Sequence, residues 1–311
     1  MKYLIKKYAF YNFDCLTFAL LCGIDKIGGN VIPILINKYH FYNIQKKIPN
    51  VIQKSTYFLS NIQSYLNVTI KTIKFQDNCI QIILDALKKN GLVIVLTNDY
   101  YNPLRVDTYL KEHKPHHILI YGANVYSEIF QIIESNHRYT VNYQTMEISF
   151  SNLMTSQKYT KRHELILLFP KYQSKCRKCH NIDNYIVKKC FNKQKHELYK
   201  SIKNLETYEK QLKKVIYDNT EINDWLEFFN NICNIYKTYI YIDNIIFHNS
   251  QLNELTNSIY RKWYLLRIEF VKCIRKKHLM IVLNNILNEF NIISKQEIKR
   301  IDFIKKLINK E

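Results

Sequence analysis

The sequence predicts an α+β chain in two parts, a mixed N-terminal part and an all-helical C-terminal part. Two kinds of observation carry this. Short apolar runs bounded by turn formers, such as L-V-I-V-L at 92–96, Ile118–Tyr121 and Ile129–Ile133, have the length of strands. From about Lys193 onward the apolar residues recur at helical spacing, in segments too long for strands. Only five glycines and five prolines occur in 311 residues, which leaves little chain for long disordered linkers. The predicted boundaries are a first domain over 1–170, a connector over 171–192 and a helical domain over 193–311.

In order, Tyr3–Phe10 reads as a short strand or turn, and Asn12 or Asp14 caps a helix that starts near Cys15. The apolar face of that helix is Leu16, Ala19, Leu20 and Gly23. Gly28-Gly29 forms a loop, Val31–Tyr42 reads as strand or short helix, and Ile48–Tyr65 reads as a helix. Asn67–Ile73 alternates like a strand, and Asp77–Lys89 is an amphipathic helix using Ile80, Ile83, Leu84 and Leu87, ended by Asn90-Gly91. Leu92–Leu96 is a central strand by its unbroken apolar run. Gly122-Ala123-Asn124 is the predicted turn between Ile118–Tyr121 and Ile129–Ile133. Tyr139–Tyr143 and Glu164–Phe169 read as strands, with a short helix over Ile148–Met154 between them. The helical part divides into Leu198–Tyr217, Ile222–Phe247, Gln251–Lys277 and Leu279–Ile293. Ser294-Lys295-Gln296-Glu297 forms a capping box for a last helix.

The chemistry concentrates on one predicted hairpin. His116 and His117 open its first strand and Glu134 closes its second. In an antiparallel pair those two ends lie side by side, so an imidazole and a carboxylate meet. That is the base and its orienter in nucleophilic catalysis, and Cys15 is the candidate nucleophile. A cysteine on the first turn of a helix is biased toward thiolate by the helix dipole. The plainer reading of Cys15 is a small buried hydrophobe. The Asp99-Tyr100-Tyr101-Asn102-Pro103 cluster precedes the hairpin, either as a cleft-lining loop that packs substrate or as a simple turn.

D-C-L-T-F-A-L-L-C-G, then D-Y-Y-N-P, then H-H-I-L-I-Y-G-A-N resembles, over about residues 8–155, the N-terminal-domain family of butirosin biosynthesis protein H. More broadly it resembles the papain-like fold shared with double-glycine peptidases. The resemblance implies Cys15 as nucleophile and His116, six residues before Gly122, as base. It implies Glu134 as the orienting acid where the family usually has Asp or Asn. His117 takes the aromatic position beside the base. Ala9 stands where papain-like peptidases carry an oxyanion-hole glutamine. The Cys15 amide and the Asn12 side chain are then the candidate donors, with Asp99, Tyr101, His117 and Asn124 lining the cleft. The implied function is a cysteine acyltransferase that moves an acyl group from a carrier-protein thioester, or a peptidyl thioester, onto the amine or hydroxyl of a small-molecule acceptor in specialised-metabolite biosynthesis. Peptide-bond hydrolysis on the same residues, a non-catalytic ligand binder and a basic nucleic-acid-binding protein are the alternatives.

Eight cysteines without regular spacing suit reduced thiols in a cytoplasmic protein. The start of the chain has the look of a signal peptide, but Asp14 breaks the apolar run and Leu16–Cys22 is too short to span a membrane. Cys176-Arg177-Lys178-Cys179-His180 has the spacing of a haem-attachment motif, a chemistry that needs export, so no cofactor is expected. Cys176, Cys179, Cys190 and His196 form a candidate zinc set. The net charge of +20 comes from lysines spread along the chain. It favours an acidic partner such as an acyl carrier protein over specific nucleic-acid binding, with Arg105, Lys111, Arg261, Lys262 and Arg267 as candidate rim charges.

Overall fold

The computed structural model describes residues 8, 14–45, 48–55, 63–74, 78–135, 143–160, 162–171, 179–218, 221–276 and 279–309; for 38–39, 44–45, 48, 50–55, 179–184, 276 and 279–287 it describes the backbone alone. The chain is mixed α/β, a six-stranded antiparallel sheet plus a helical C-terminal region, and it divides into two compact units. One comprises Met1–Ile34 and Leu59–Cys179, the other Leu35–Phe58 and His180–Glu311.

The first unit holds the sheet. Its strands are β3 (Val68–Lys74), β4 (Leu92–Asn98), β5 (Pro115–Asn124), β6 (Ile129–Ser135), β7 (Tyr143–Ser149) and β8 (Glu164–Pro170), in the order β3-β8-β4-β5-β6-β7. Alternation along the strands gives the sheet two apolar faces. Val93, Val95, Ile118, Ile120, Phe130 and Ile132 share a core with Cys79, Ile83, Ala86 and Leu153 of α3 (Cys79–Lys88) and α4 (Phe150–Lys158). The opposite face, with Leu119 and Leu168, receives α1 (Cys15–Lys26). The backbone of α1 approaches so closely at Gly23 that a Cβ there would lie 2.6 Å from Leu168 Cδ1.

The second unit contains α2 (Ile32–Ile36) in part, the hairpin of β1 (Lys38–Gln45) and β2 (Ile48–Ser55), and the helices α5 (Cys179–Ile202), α6 (Asn204–Asp218), α7 (Ile222–Phe247), α8 (Ser250–Lys276) and α9 (Leu279–Leu307). Its core is aromatic: Trp225, Phe228, Phe229, Trp263, Phe270 and Phe290 are all buried. Beside it, Arg300 pairs with Asp243 at 3.0 Å, and Thr256 donates to the same carboxylate. Glu297 accepts from the Tyr42 hydroxyl.

Several expectations are corrected. Ile48–Ser55 is a strand rather than a helix, because Lys38–Gln45 supplies an antiparallel partner along its whole length. The turn of the central hairpin falls at Val125–Glu128, three residues later than Gly122–Asn124, so Gly122 to Asn124 extend β5. The helical region begins at Cys179, inside the expected connector. Ile186, Val187, Cys190 and Phe191 continue its buried stripe upstream, and the chain turns at Lys203 instead of running unbroken to Tyr217. Ser294 caps nothing: α9 passes straight through it, with Phe290, Ile293, Glu297, Ile301 and Ile304 forming one continuous buried face. Tyr3–Phe10, apart from Tyr8, and most of Tyr139–Tyr143 lie outside the described residues. No helix among the described residues is long and apolar enough to cross a membrane.

Candidate active site

Cys15 opens α1. The helix starts there because the Asp14 side chain caps it, accepting from the Thr17 backbone N–H at 2.7 Å and from the Thr17 hydroxyl at 3.0 Å. The half-buried Cys15 thiol thus sits on the positive end of the helix dipole.

The sheet opens to receive the sulphur. The β5–β6 ladder ends at the pair Leu119↔Ile133, although β5 starts four residues earlier and β6 runs on through Glu134 and Ser135. His116 turns its carbonyl toward β4, where it accepts from the Thr97 hydroxyl at 3.0 Å. Successive backbone groups point to opposite sides, so the N–H of His117 points toward β6. It donates to Cys15 Sγ at 3.3 Å, in the place of a ladder bond. A backbone N–H lies in the plane of its sheet, so an acceptor held by it is open to side chains from both faces. Neighbouring histidines, which face opposite ways, therefore both reach the sulphur. His117, on the α1 face, places Nδ1 3.5 Å from Sγ. His116, on the other face, is the other imidazole that lowers the thiol's pKa, and its Nε2 lies 3.0 Å from Glu134 Oε1. Sequence reasoning expected one imidazole at the sulphur; the structure supplies two, and divides the contacts between them.

The electrostatics follow from this geometry. Burial alone raises the Cys15 pKa. Hydrogen bonds from the His116 and His117 side chains, the positive charge of His116 and the His117 amide outweigh it, and the thiol falls to about 6. Burial pushes His116 down, but the Glu134 carboxylate and the Cys15 sulphur override it, so His116 titrates well above the ordinary histidine range. Both shifts favour the thiolate–imidazolium form of the pair over the neutral one. The other shifted cysteines move the opposite way: burial lifts Cys79 and Cys190 to about 12 and Cys233 to about 11.

Glu134 is fully buried and held on one oxygen. Its Oε1 accepts from His116, from the Ser135 backbone N–H at 2.6 Å and from Arg105 Nη1 at 3.4 Å. Arg105 is therefore an interior residue, 3% exposed, rather than the rim charge its position suggested. Asp99 is also interior, its Oδ2 3.6 Å from Arg105 Nε, so its place is in the ion cluster behind the site. Burial raises the Asp99 pKa against the attraction of His116 and Arg105. The sequence offered one signal for this cluster, a lone arginine between Asp99 and Asp107.

The remaining candidates separate. Tyr101 is part of an aromatic group in which its ring stacks on Tyr159 at 4.2 Å and Tyr100 stacks on His113 at 4.2 Å. Asn124 lies at the far end of β5 from the histidines and is exposed, its side chain accepting from the Tyr126 and Ser127 amides to shape the hairpin turn. Asn12 and Cys176 lie outside the described residues, as does the side chain of Cys179. Cys190 is buried and His196 exposed, six residues apart on α5, so those two do not converge on one ion. Among the described residues no group of His, Cys, Asp or Glu is placed to hold a metal. Lys111 is exposed and donates to the Val106 carbonyl at 3.1 Å, while Arg261, Lys262 and Arg267 belong to α8, where Lys262 pairs with Glu289 at 2.7 Å.

The chain matches no protein-family model and no curated protein sequence.

Proposed function

We propose that this chain is a papain-like cysteine acyltransferase, with Cys15 as nucleophile, His116 as proton shuttle and Glu134 as its orienter. The observation that carries the proposal is the Cys15 sulphur at the head of α1, its pKa lowered to about 6 between two imidazoles, one of them anchored on a buried carboxylate. A cysteine-headed helix packed on an antiparallel sheet, with histidine and acid on adjacent strands, supports the papain-like reading. The thiolate attacks the carbonyl carbon of an acyl thioester. The old carbon–sulphur bond breaks, and the departing thiol takes the proton from His116. The acyl group then rests on Cys15. The neutral His116 accepts the proton of an incoming amine or hydroxyl as it attacks, which regenerates the thiolate–imidazolium pair.

The resemblance to the butirosin protein H family supports a carrier-protein thioester as donor, specialised-metabolite biosynthesis as the setting and the cytoplasm as the location. The test uses the intact protein with a small acyl thioester. Mass spectrometry is expected to find the acyl group on Cys15, absent in Cys15→Ala and discharged by an added amine. An acyl group that never appears on Cys15, or product formation that survives Cys15→Ala, refutes the proposal. Cleavage of peptides with no need of an acceptor assigns the same residues to a peptidase instead.

A further inference from the structure

Behind the cysteine and histidines lies a buried charge cluster that the proposed reaction does not use directly. Arg105 is its centre. Its Nη1 donates to Glu134 Oε1 at 3.4 Å and to the Ser135 carbonyl at 3.3 Å, while its Nε faces Asp99 Oδ2 at 3.6 Å and Asp107 Oδ1 at 3.7 Å. The guanidinium thus reaches two sides at once, which its planar fork permits and the single ammonium of lysine does not. The backbone that carries it is fixed by turns: Arg105 N donates to the Asn102 carbonyl, and the Arg105 carbonyl accepts from the Thr108 and Tyr109 amides.

Glu134 needs this support. All three of its protein donors converge on Oε1, and Oε2 is buried with no hydrogen-bond partner among the described residues. One of the three is the adjacent Ser135 amide, and another is His116 itself. Arg105 is the donor that comes from outside the strand pair, from the loop between β4 and β5. Without it the buried carboxylate keeps only the adjacent Ser135 amide and His116 as donors, in a site that also contains the like charge of Asp99.

We propose that Arg105 is a positioning residue of the Cys15 site: from the β4–β5 loop it holds the Glu134 carboxylate against His116, so that the state of the sulphur depends on a guanidinium that does not touch it. This rests on the reading of Cys15 as nucleophile. The charged and titratable groups around this line are Cys15 on α1, His116 and His117 on β5, Glu134 on β6, Tyr143 on β7, and Asp99, Arg105 and Asp107 on the loop. Loss of the arginine reaches Cys15 through Glu134: a carboxylate no longer held against His116 supports less well the imidazole that lowers the thiol.

The test is the rate of iodoacetamide alkylation at Cys15, resolved by mass spectrometry across pH, in the wild type, Arg105→Gln, Glu134→Gln and the double variant. Arg105→Gln is expected to raise the midpoint by about one unit, which at pH 6 costs about fivefold in rate. Arg105→Lys is expected to recover part of that loss. In the Glu134→Gln background Arg105→Gln is expected to add nothing, because its effect runs through Glu134. An unchanged midpoint in folded Arg105→Gln overturns the proposal, and so does an equal shift in both backgrounds, which marks a merely structural role. If circular dichroism shows Arg105→Gln unfolded, the same cycle is run with Arg105→Lys, where non-additivity supports the proposal and additivity overturns it. A wild-type Cys15 with an ordinary thiol midpoint overturns the nucleophile reading itself. A wild-type midpoint near 6 with unaltered Arg105 variants overturns only the role of Arg105.

Discussion

Two imidazoles at one sulphur carry different parts of the work, and substitution separates them. His116 is the larger of the two influences that lower Cys15, and it is tied to Glu134. His117 contributes its ring, but also a backbone N–H that survives any side-chain change. His116→Ala is therefore expected to raise the Cys15 midpoint from about 6 toward or above the ordinary thiol value. In turnover the loss of the shuttle is expected to cost roughly 10²–10⁴-fold. His117→Phe keeps the amide on the sulphur and is expected to shift the midpoint less and to retain most of the rate. The reverse ranking in rate–pH profiles would make His117 the base. In the wild type, iodoacetamide at mildly acidic pH is expected to label Cys15 before Cys79, Cys190 or Cys233, whose burial holds them protonated. First labelling at any of those three removes Cys15 from the mechanism.

At the scale of elements, α9 makes the clearest prediction, since Glu297 replaces an apolar residue on its buried stripe. Burial raises Glu297 to about 7 against the hydrogen bond from Tyr42 and the charge of Arg300. The folded unit thus keeps a proton that the unfolded chain releases near 4.5, so stability is fully present below pH 4.5 and declines as pH rises to 7. The shift corresponds to about 3 kcal/mol. Glu297→Gln keeps the polar contact to Tyr42 and is expected to flatten most of the decline. Trp225 and Trp263 are the two tryptophans of the chain and both lie in this unit, so fluorescence-detected denaturation from pH 5 to 8 reads it selectively. Equal slopes in wild type and variant would show that Glu297 is ionised throughout. The same helix shows what sequence reading reaches and where it stops. Strands such as Leu92–Asn98 and helices such as Cys79–Lys88 were legible because one period dominates a short window. Ser294-Lys295-Gln296-Glu297 misled because a capping box is a local signal, overridden here by a buried face that continues from Phe290 to Ile304. Ile48–Ser55 misled because its partner strand, not its own pattern, makes it β. That Cys15, His116 and Glu134 come together was legible from their order along the chain. The second histidine and Arg105 were not. The first depends on where the β5–β6 ladder ends, and the second on which way a loop arginine turns, and neither is written in spacing.

For the molecule as a whole, the net charge of +20 bears on how a substrate arrives. Acyl carrier proteins are acidic as a class, so the proposed carrier-borne donor would carry a charge opposite to the net charge of this chain. The burial of Arg105 sharpens this point, because that charge is spent inside the ion cluster with Glu134 and Asp99 and contributes little to steering. For a carrier-borne donor the candidate steering charge is an exposed one such as Lys111. Exposed charges act mainly on the association rate, and salt screens them over about 8–10 Å near physiological ionic strength. The rate of acylation of Cys15 by a carrier-bound thioester is therefore expected to fall several-fold between low and moderate salt. A small uncharged thioester with the same acyl group is expected to change little, since the buried pairs around Glu134 are shielded from salt. Charge reversal at Lys111 is expected to slow the carrier-bound donor alone. If both donors show the same salt dependence, the salt is acting on the protein rather than on the encounter. A free small-molecule or peptide donor then becomes the better substrate for the Cys15 site.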